Sequence, residues 1–176
     1  MVQEASSFLI TGPRGAGKST LCLEILRYIQ ACEFSVGGVI TIQDTERWFY
    51  LIQSDKKVQF EAEIHEPSIS VGKFRINSNN LNQATQHIMN GRDSDFLFID
   101  EVGILEMNGK GYFSVLETAL KRPQGNIIVV RESIFDDFIS KFNLQFEYIV
   151  LKCRFGKNQR LLDDVIRKID KNLMND

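Results

Sequence analysis

The chain has 176 residues, 43% of them hydrophobic and 25% charged, with a formal charge of −2, all close to soluble-domain averages. A balance this near neutrality excludes the basic surplus of a nucleic-acid binder, and no apolar run approaches the ~20 residues that span a bilayer. Residues 1–7 carry Glu4 where a secretory leader has basic residues, so a cytoplasmic protein without a membrane partner is expected.

Taken in order, residues 6–11 are a short apolar run, followed by a Gly-rich turn over 12–17 and an amphipathic stretch from Lys18 to about Glu33. There Leu21, Ile25, Tyr28 and Ile29 recur at helical spacing while Glu24, Arg27 and Gln30 take the other face, which predicts strand, loop, helix. Over 35–75 the residues favour strands at 36–42, 48–52 and 58–64, broken at Asp44-Thr45 and Ser54-Asp55, and predict an antiparallel ribbon. A helix over 81–89, capped by Asn79 or Asn80 and ended by Gly91, leads to a buried strand at 96–99. Then come a helix over 112–120 stopped near Pro123, a strand at 126–130, a short helix from Ser133 to about Phe142, a strand at 146–151 and an amphipathic helix over 159–173.

Alternating strands and helices imply a parallel sheet. The runs at 8–11, 96–100, 127–130 and 148–151 are nearly continuously apolar, as when helices cover both faces. The expected architecture is therefore one α/β domain over 1–176, with a mainly parallel sheet between helices and a small antiparallel β-ribbon insertion at about 35–75. Cys22, Cys32 and Cys153 are odd in number and lack C-x-x-C spacing, so they are expected as reduced, buried packing residues.

The most specific signal is Gly12-Pro13-Arg14-Gly15-Ala16-Gly17-Lys18-Ser19, which fits G-x-x-x-x-G-K-[ST] between a strand and a helix. Glycines let backbone N–H groups curl around phosphate oxygens at a helix N-terminus. Lys18 would reach the β- and γ-phosphates of a nucleoside triphosphate, Ser19 would ligate Mg²⁺, and Thr20 begins the helix proper. A P-loop, with Mg²⁺ and ATP, GTP or another triphosphate as ligands, is the expectation.

The run Phe96-Leu97-Phe98-Ile99-Asp100-Glu101 is an apolar strand ending in two acids, suited to a Walker B strand. Lying beside the first strand, it would bring Asp100 to Ser19 to hold the metal. Glu101, one position on, would orient and deprotonate a water facing the γ-phosphate; a Glu101 turned away from the nucleotide would exclude that role. Asp100-Glu101-Val102-Gly103 also satisfies D-x-x-G, but no N-K-x-D follows a strand, so a Ras-like reading is weak.

Arg131 emerges at the carboxyl edge of the sheet, where open α/β folds place ligands. It would face the γ-phosphate or pair with Glu132 or a neighbouring acid, and both remain open. Arg14, Arg154, Lys157 and Arg160 could reach phosphate or base, while His65 and His87 have no partner at ligand spacing.

Four blocks carry a resemblance along the chain. Thr11 through Leu21 resembles T-G-x-x-G-x-G-K-T-T-L, Gly37-Gly38-Val39-Ile40-Thr41 resembles G-G-F-x-T, Val71-Gly72-Lys73-Phe74 is similar to V-G-x-Y, and Phe98 through Glu106 resembles I-D-E-I-G-K-M-E. These are patterns of the small P-loop nucleoside-triphosphatase family that includes cancer-related nucleoside-triphosphatase and its thermophilic prokaryotic relatives. The resemblance implies a compact P-loop fold, Mg²⁺-dependent hydrolysis of several nucleoside triphosphates to diphosphate and phosphate, and site positions at Asp100, Glu101 and Glu106. Asn158-Gln159-Arg160 resembles the closing E-N-R, which implies a nucleotide contact for Arg160. The chain departs from the family at Ile104, where Lys is usual, across 44–66, which lacks the arginine-and-glycine pattern, and at Arg131-Glu132-Ser133 in place of Thr-Val-Pro.

The expected function is nucleoside-triphosphate hydrolysis with broad base specificity. Gly12 to Thr20 would bind phosphates, Ser19 and Asp100 magnesium, and Lys18, Glu101 and Arg131 would act in catalysis. The alternatives are a nucleoside or nucleotide kinase using Glu101 toward a hydroxyl, and a slowly hydrolysing adaptor that docks a protein through the ribbon. Exposed Trp48, Phe49 and Tyr50 would favour the adaptor, although alternation predicts that at least two of the three pack inward.

Overall fold

The computed structural model describes residues 7–144 and 148–173. The reading of the first six residues, and the start of the last strand at Phe146, lie outside those residues. The first strand, β1 (Phe8–Thr11), enters the loop that feeds helix α1 (Lys18–Ala31), and β2 (Val36–Gln43), β3 (Arg47–Leu51) and β4 (Lys56–Gln59) follow as a meander. A hairpin of β5 (Ser68–Val71) and β6 (Phe74–Asn77) precedes α2 (Ser78–Asn90) and β7 (Phe96–Val102). The chain continues through α3 (Ile104–Met107), α4 (Phe113–Ala119), β8 (Gly125–Val130), α5 (Phe135–Phe142), β9 (Ile149–Lys152) and α6 (Gln159–Leu173).

Seven strands form one sheet in the order β4-β3-β2-β7-β8-β1-β9. From β2 to β9 neighbours run parallel, while β3 and β4 add on antiparallel. Alternation within the strands sorts the core into two layers. Phe8, Ile10, Phe98, Ile127 and Val129 pack with α1 and α6, through Leu21, Ile25, Ile29, Val165 and Ile169. Leu9, Leu97, Ile99, Ile128 and Val130 pack on the other face with Leu81, Ala84 and Ile88 of α2, Val115 and Leu116 of α4, and Phe138 of α5. Each fully buried Phe or Ile contributes roughly 1.5–3 kcal/mol. The doubly covered, mainly parallel sheet is thus the one the apolar runs predict.

Four local expectations are corrected. The strand carrying Asp100 does not lie beside β1, because β8 pairs with both and separates them. Strand β2, read as ribbon, joins the main sheet by parallel pairing of Val36–Val39 with Phe96–Ile99. This is possible because Gly38 sits at φ 103°, where a Cβ would meet the Phe98 carbonyl oxygen at 2.0 Å; only glycine fits so close a backbone approach. Strand β4 stops at Gln59 rather than running to 64, and the two-stranded sheet is β5–β6. Helix α2 starts earlier than expected and its cap is Asn77, whose Oδ1 accepts from the Asn79 and Asn80 N–H groups at 3.0 and 3.1 Å, satisfying two otherwise unpaired donors. Of the cysteines, Cys22 and Cys153 are buried as expected, whereas Cys32 is only half-buried and all three are free.

Candidate active site

The carboxyl ends of the parallel strands open onto a cleft of about 520 Å³, lined along one wall by Gly12–Thr20 without Ala16. The loop shape is set by backbone crowding. A Cβ on Gly12 would come 2.5 Å from the Cys153 carbonyl oxygen, and one on Gly17, at φ 87°, 2.9 Å from Asn158 Nδ2. No side chain caps α1, so its first N–H groups turn to the cleft, a favourable end for anions. Lys18 Nζ donates to the Gly12 and Pro13 carbonyls at 2.8 and 2.9 Å, lying back across the loop. Buried Ala16 contributes its carbonyl, which accepts from Asn158 Nδ2 at 2.6 Å, while Asn158 Oδ1 accepts from the Arg154 N–H at 2.9 Å. Asn158 therefore ties the loop before α6 to the glycine-rich turn.

On the opposite wall Asp100 and Glu101 leave the end of β7. Pairing with β8 advances from Ile99↔Ile128 to Val102↔Val130, three residues against two, a bulge that resets the alternation. Asp100 then keeps the α1 side of the sheet, and Ser19 Oγ donates to its Oδ2 at 2.8 Å. The Thr41 N–H donates to the same oxygen at 3.2 Å, and the Thr41 hydroxyl to the Asp100 carbonyl at 2.6 Å. Asp100 is only 2% exposed. Burial first, and then the charge of Glu101, push its carboxyl up to about 7, since charge is disfavoured in a poorly solvated place. A buried carboxylate beside a hydroxyl, both hard oxygens, fits a small divalent cation that keeps most ligands from water and phosphate.

Glu101 is half-buried and lines the cleft, so the outward alternative is not realised. Arg131 Nε and Nη2 donate to its two carboxylate oxygens at 3.1 and 3.5 Å. Of the two readings for Arg131, the acid partner is observed, and the acid is Glu101. The segment after Glu101 is pinned by Glu106, 4% exposed, whose Oε2 accepts from the Gly103 N–H at 2.8 Å and Oε1 from the Tyr112 N–H at 3.0 Å. Burial raises the Glu106 carboxyl above the usual carboxylate range.

Other expected residues are dispersed. Arg14 lines the cleft; Arg154 and Lys157 on the β9–α6 connection and Arg160 at the start of α6 are exposed and do not line it. His65 is exposed, and His87 shares a 2.9 Å hydrogen bond with Ser54 Oγ. Three contributors escaped the sequence reading: Thr41, Arg47 and the clamp at Asn158. The first lay inside the Gly37–Thr41 block and the last in Asn158-Gln159-Arg160, but neither pattern says which atoms they touch.

A glycine-rich loop and a strand-end Asp meeting across the carboxyl edge of a parallel sheet define a P-loop NTPase fold. The chain belongs to the NTPase family NTPase_1, whose model matches residues 7–166. Among curated relatives, nucleoside-triphosphatase THEP1 of Methanocaldococcus jannaschii is 27% identical over 167 residues, covering 91% of this chain and 95% of that one. The protein of the same name from Archaeoglobus fulgidus is 30% identical over 118 residues, 64% of this chain and 70% of the relative. In fold, the crystal structure of THEP1 from the hyperthermophile Aquifex aeolicus superposes with a TM-score of 0.67 at 17% identity, covering 93% of this chain and 99% of that one. The solution structure of a human cancer-related nucleoside triphosphatase gives 0.65 at 17% identity, over 95% and 98%.

Proposed function

We propose that the protein hydrolyses nucleoside triphosphates to diphosphate and phosphate in the presence of Mg²⁺, with little discrimination among bases. The observation that carries this reading is the Ser19–Asp100 contact at 2.8 Å, set between the phosphate loop and Glu101 in one cleft. Family membership and the relatives' name, which specifies a triphosphate but no base, support it. In this reading residues 1–176 act as one nucleotide-binding domain, with the β-rich stretch at about 35–75 serving the same cleft. A cytoplasmic setting agrees with the three free cysteines, and among the described residues no helix is long and apolar enough to cross a membrane.

Gly12 to Gly17 and the start of α1 hold the phosphates through backbone N–H groups, and Lys18 exchanges its carbonyl partners for phosphate oxygens. Ser19 and Asp100 would hold Mg²⁺, which would supply neutralisation of the negative charge on the phosphates. Glu101 takes a proton from the attacking water as its oxygen bonds to the γ-phosphorus and the bond to the diphosphate breaks. Arg131 holds the Glu101 carboxylate aimed into the cleft, and its guanidinium stands at the rim where the terminal phosphoryl arrives. The adaptor reading loses its expected support: Phe49 is buried and Trp48 and Tyr50 are half-buried.

The test is phosphate release from ATP, GTP, CTP and UTP by wild type and Glu101→Gln, with nucleotide binding measured alongside. The variant is expected to bind normally and lose at least ~100-fold in rate. A phosphorylated acceptor outpacing free phosphate would replace the hydrolase with the kinase, and binding without turnover would remove both.

A further inference from the structure

The cleft gathers more positive charge than the loop and Arg131 account for, and the surplus centres on one residue of β3. Arg47 is half-buried at the start of that strand and lines the cleft. Its guanidinium carbon lies 5.0 Å from the centroid of the Phe60 ring and 4.5 Å from that of Phe74. Phe74, at the tip of the β5–β6 hairpin, also lies 5.9 Å from the Arg14 guanidinium of the phosphate loop. Among the described residues no carboxylate comes within 4.0 Å of either arginine. The polar side-chain partner of Arg47 is Gln43 Oε1, at 3.4 Å.

Stacking occupies the flat faces of a guanidinium and leaves its N–H edges for an acceptor. A single weak bond to Gln43 therefore leaves most of the five donors uncommitted. Burial and the neighbouring charges of Arg14 and Arg131 oppose the cation, while Glu101 and Glu61 favour it from beyond contact distance. Holding several guanidiniums in one cleft costs free energy that an arriving polyanion offsets.

Topology says which part of that anion Arg47 meets. In the sheet β3 stands next to β2, which carries Thr41 against Asp100, and on the side away from β1 and β9. The Asn158 clamp belongs to the β9 side, while Ser19, Asp100 and Glu101 mark the side toward β2. A triphosphate cradled by the loop and reaching toward Glu101 extends its terminal phosphoryl group toward Arg47.

We propose that Arg47 is a catalytic cation supplied by the chain itself, donating to the γ-phosphoryl oxygens, and that Phe74 positions it by stacking. The rate arm of its test rests on the hydrolase reading; the binding arm does not. Arg47→Met keeps an unbranched aliphatic side chain and removes the charge, with thermal melting to verify folding. Binding of β,γ-imido-ATP and of ADP, each with Mg²⁺, is measured for wild type, Arg47→Met, Arg47→Lys and Phe74→Leu, with remote Arg92→Met as a charge control. The expected result is at least a 10-fold loss for the triphosphate analogue with Arg47→Met and less than 2-fold for ADP. Arg47→Lys recovers part of the difference, Phe74→Leu falls between, and Arg92→Met stays within 2-fold on both.

Equal losses for both nucleotides, no loss for either, or a wild type that does not distinguish them would overturn the assignment. In the rate arm Arg47→Met is expected to lower kcat 100-fold or more, the size of effect seen when one preorganised charge stabiliser is removed. If wild type keeps the triphosphate discrimination that Arg47→Met loses, yet releases no phosphate, the Arg47 contact stands and the hydrolase reading fails. If phosphate release is unchanged in Arg47→Met, the reverse holds.

Discussion

At the scale of single residues, Asp100 shows how a site is legible in part. Its strand-end position beside a phosphate loop marks it in the sequence, but the hydrogen bonds that bury it, from Ser19 and Thr41, come from two other elements. Its carboxyl rises from 3.8 to about 7 on folding, chiefly through burial. Between those values the folded chain holds a proton that the unfolded chain has released, so stability present below about pH 4 is lost as pH rises through about 7. The loss has an upper bound of about 4 kcal/mol at 1.36 kcal/mol per unit. Asp100→Asn is expected to flatten that dependence and to be the more stable protein at pH 8 in EDTA, by urea denaturation, while losing the Mg²⁺-dependent hydrolysis proposed for the wild type. Arg47 was not legible, because in Glu46-Arg47-Trp48-Phe49-Tyr50 an arginine among strand aromatics has the look of an edge residue. What singles it out is stacking on Phe60 and Phe74, 13 and 27 positions away by residue number.

At the scale of elements, the long apolar strands and helices α1 and α6 follow from periodicity, since burial alone dictates them. The start of α2 does not, because two asparagines in succession after Ser78 and one before it compete for the cap. Asn77 prevails for a tertiary reason: its Nδ2 donates to Glu66 Oε2 at 2.9 Å and its N–H to the Phe60 carbonyl at 2.9 Å, fixing it as the last residue of β6. Asn77→Ala is expected to cost about 1–2 kcal/mol, read as a lowered melting temperature, against less than about 0.5 kcal/mol for Asn79→Ala. The hairpin β5–β6 was hidden likewise, because its pairing is short and its strands are half-exposed, which weakens the alternation that marks a strand.

At the scale of the whole molecule, strand order could not be read from composition or periodicity, and it decides which walls face each other. Insertion of β8 between β1 and β7 sets the phosphate loop and the Asp100–Glu101 edge apart, and β2 with β3 closes the far side. The cleft thus joins segments from residue 12 to residue 133, and a bound nucleotide should brace them together. Melting monitored with Mg²⁺ and nucleoside diphosphate is expected to show stabilisation of about 2.7 kcal/mol at 100 times Kd, reduced in Asn158→Ala, where the loop loses its tie to α6.

The same strand order leaves two borders to the sheet. At one, β4 begins with Lys56 and Lys57, both exposed, and like charges meeting there discourage a second molecule from adding a strand. At the other, β9 presents Ile149 at 37% and Val150 at 40% exposure, and within that strand the one charged residue is Lys152 at its end. Self-association of crowded or partly unfolded chains should therefore begin along β9, and a lysine at Val150 is the substitution expected to raise solubility without touching the cleft.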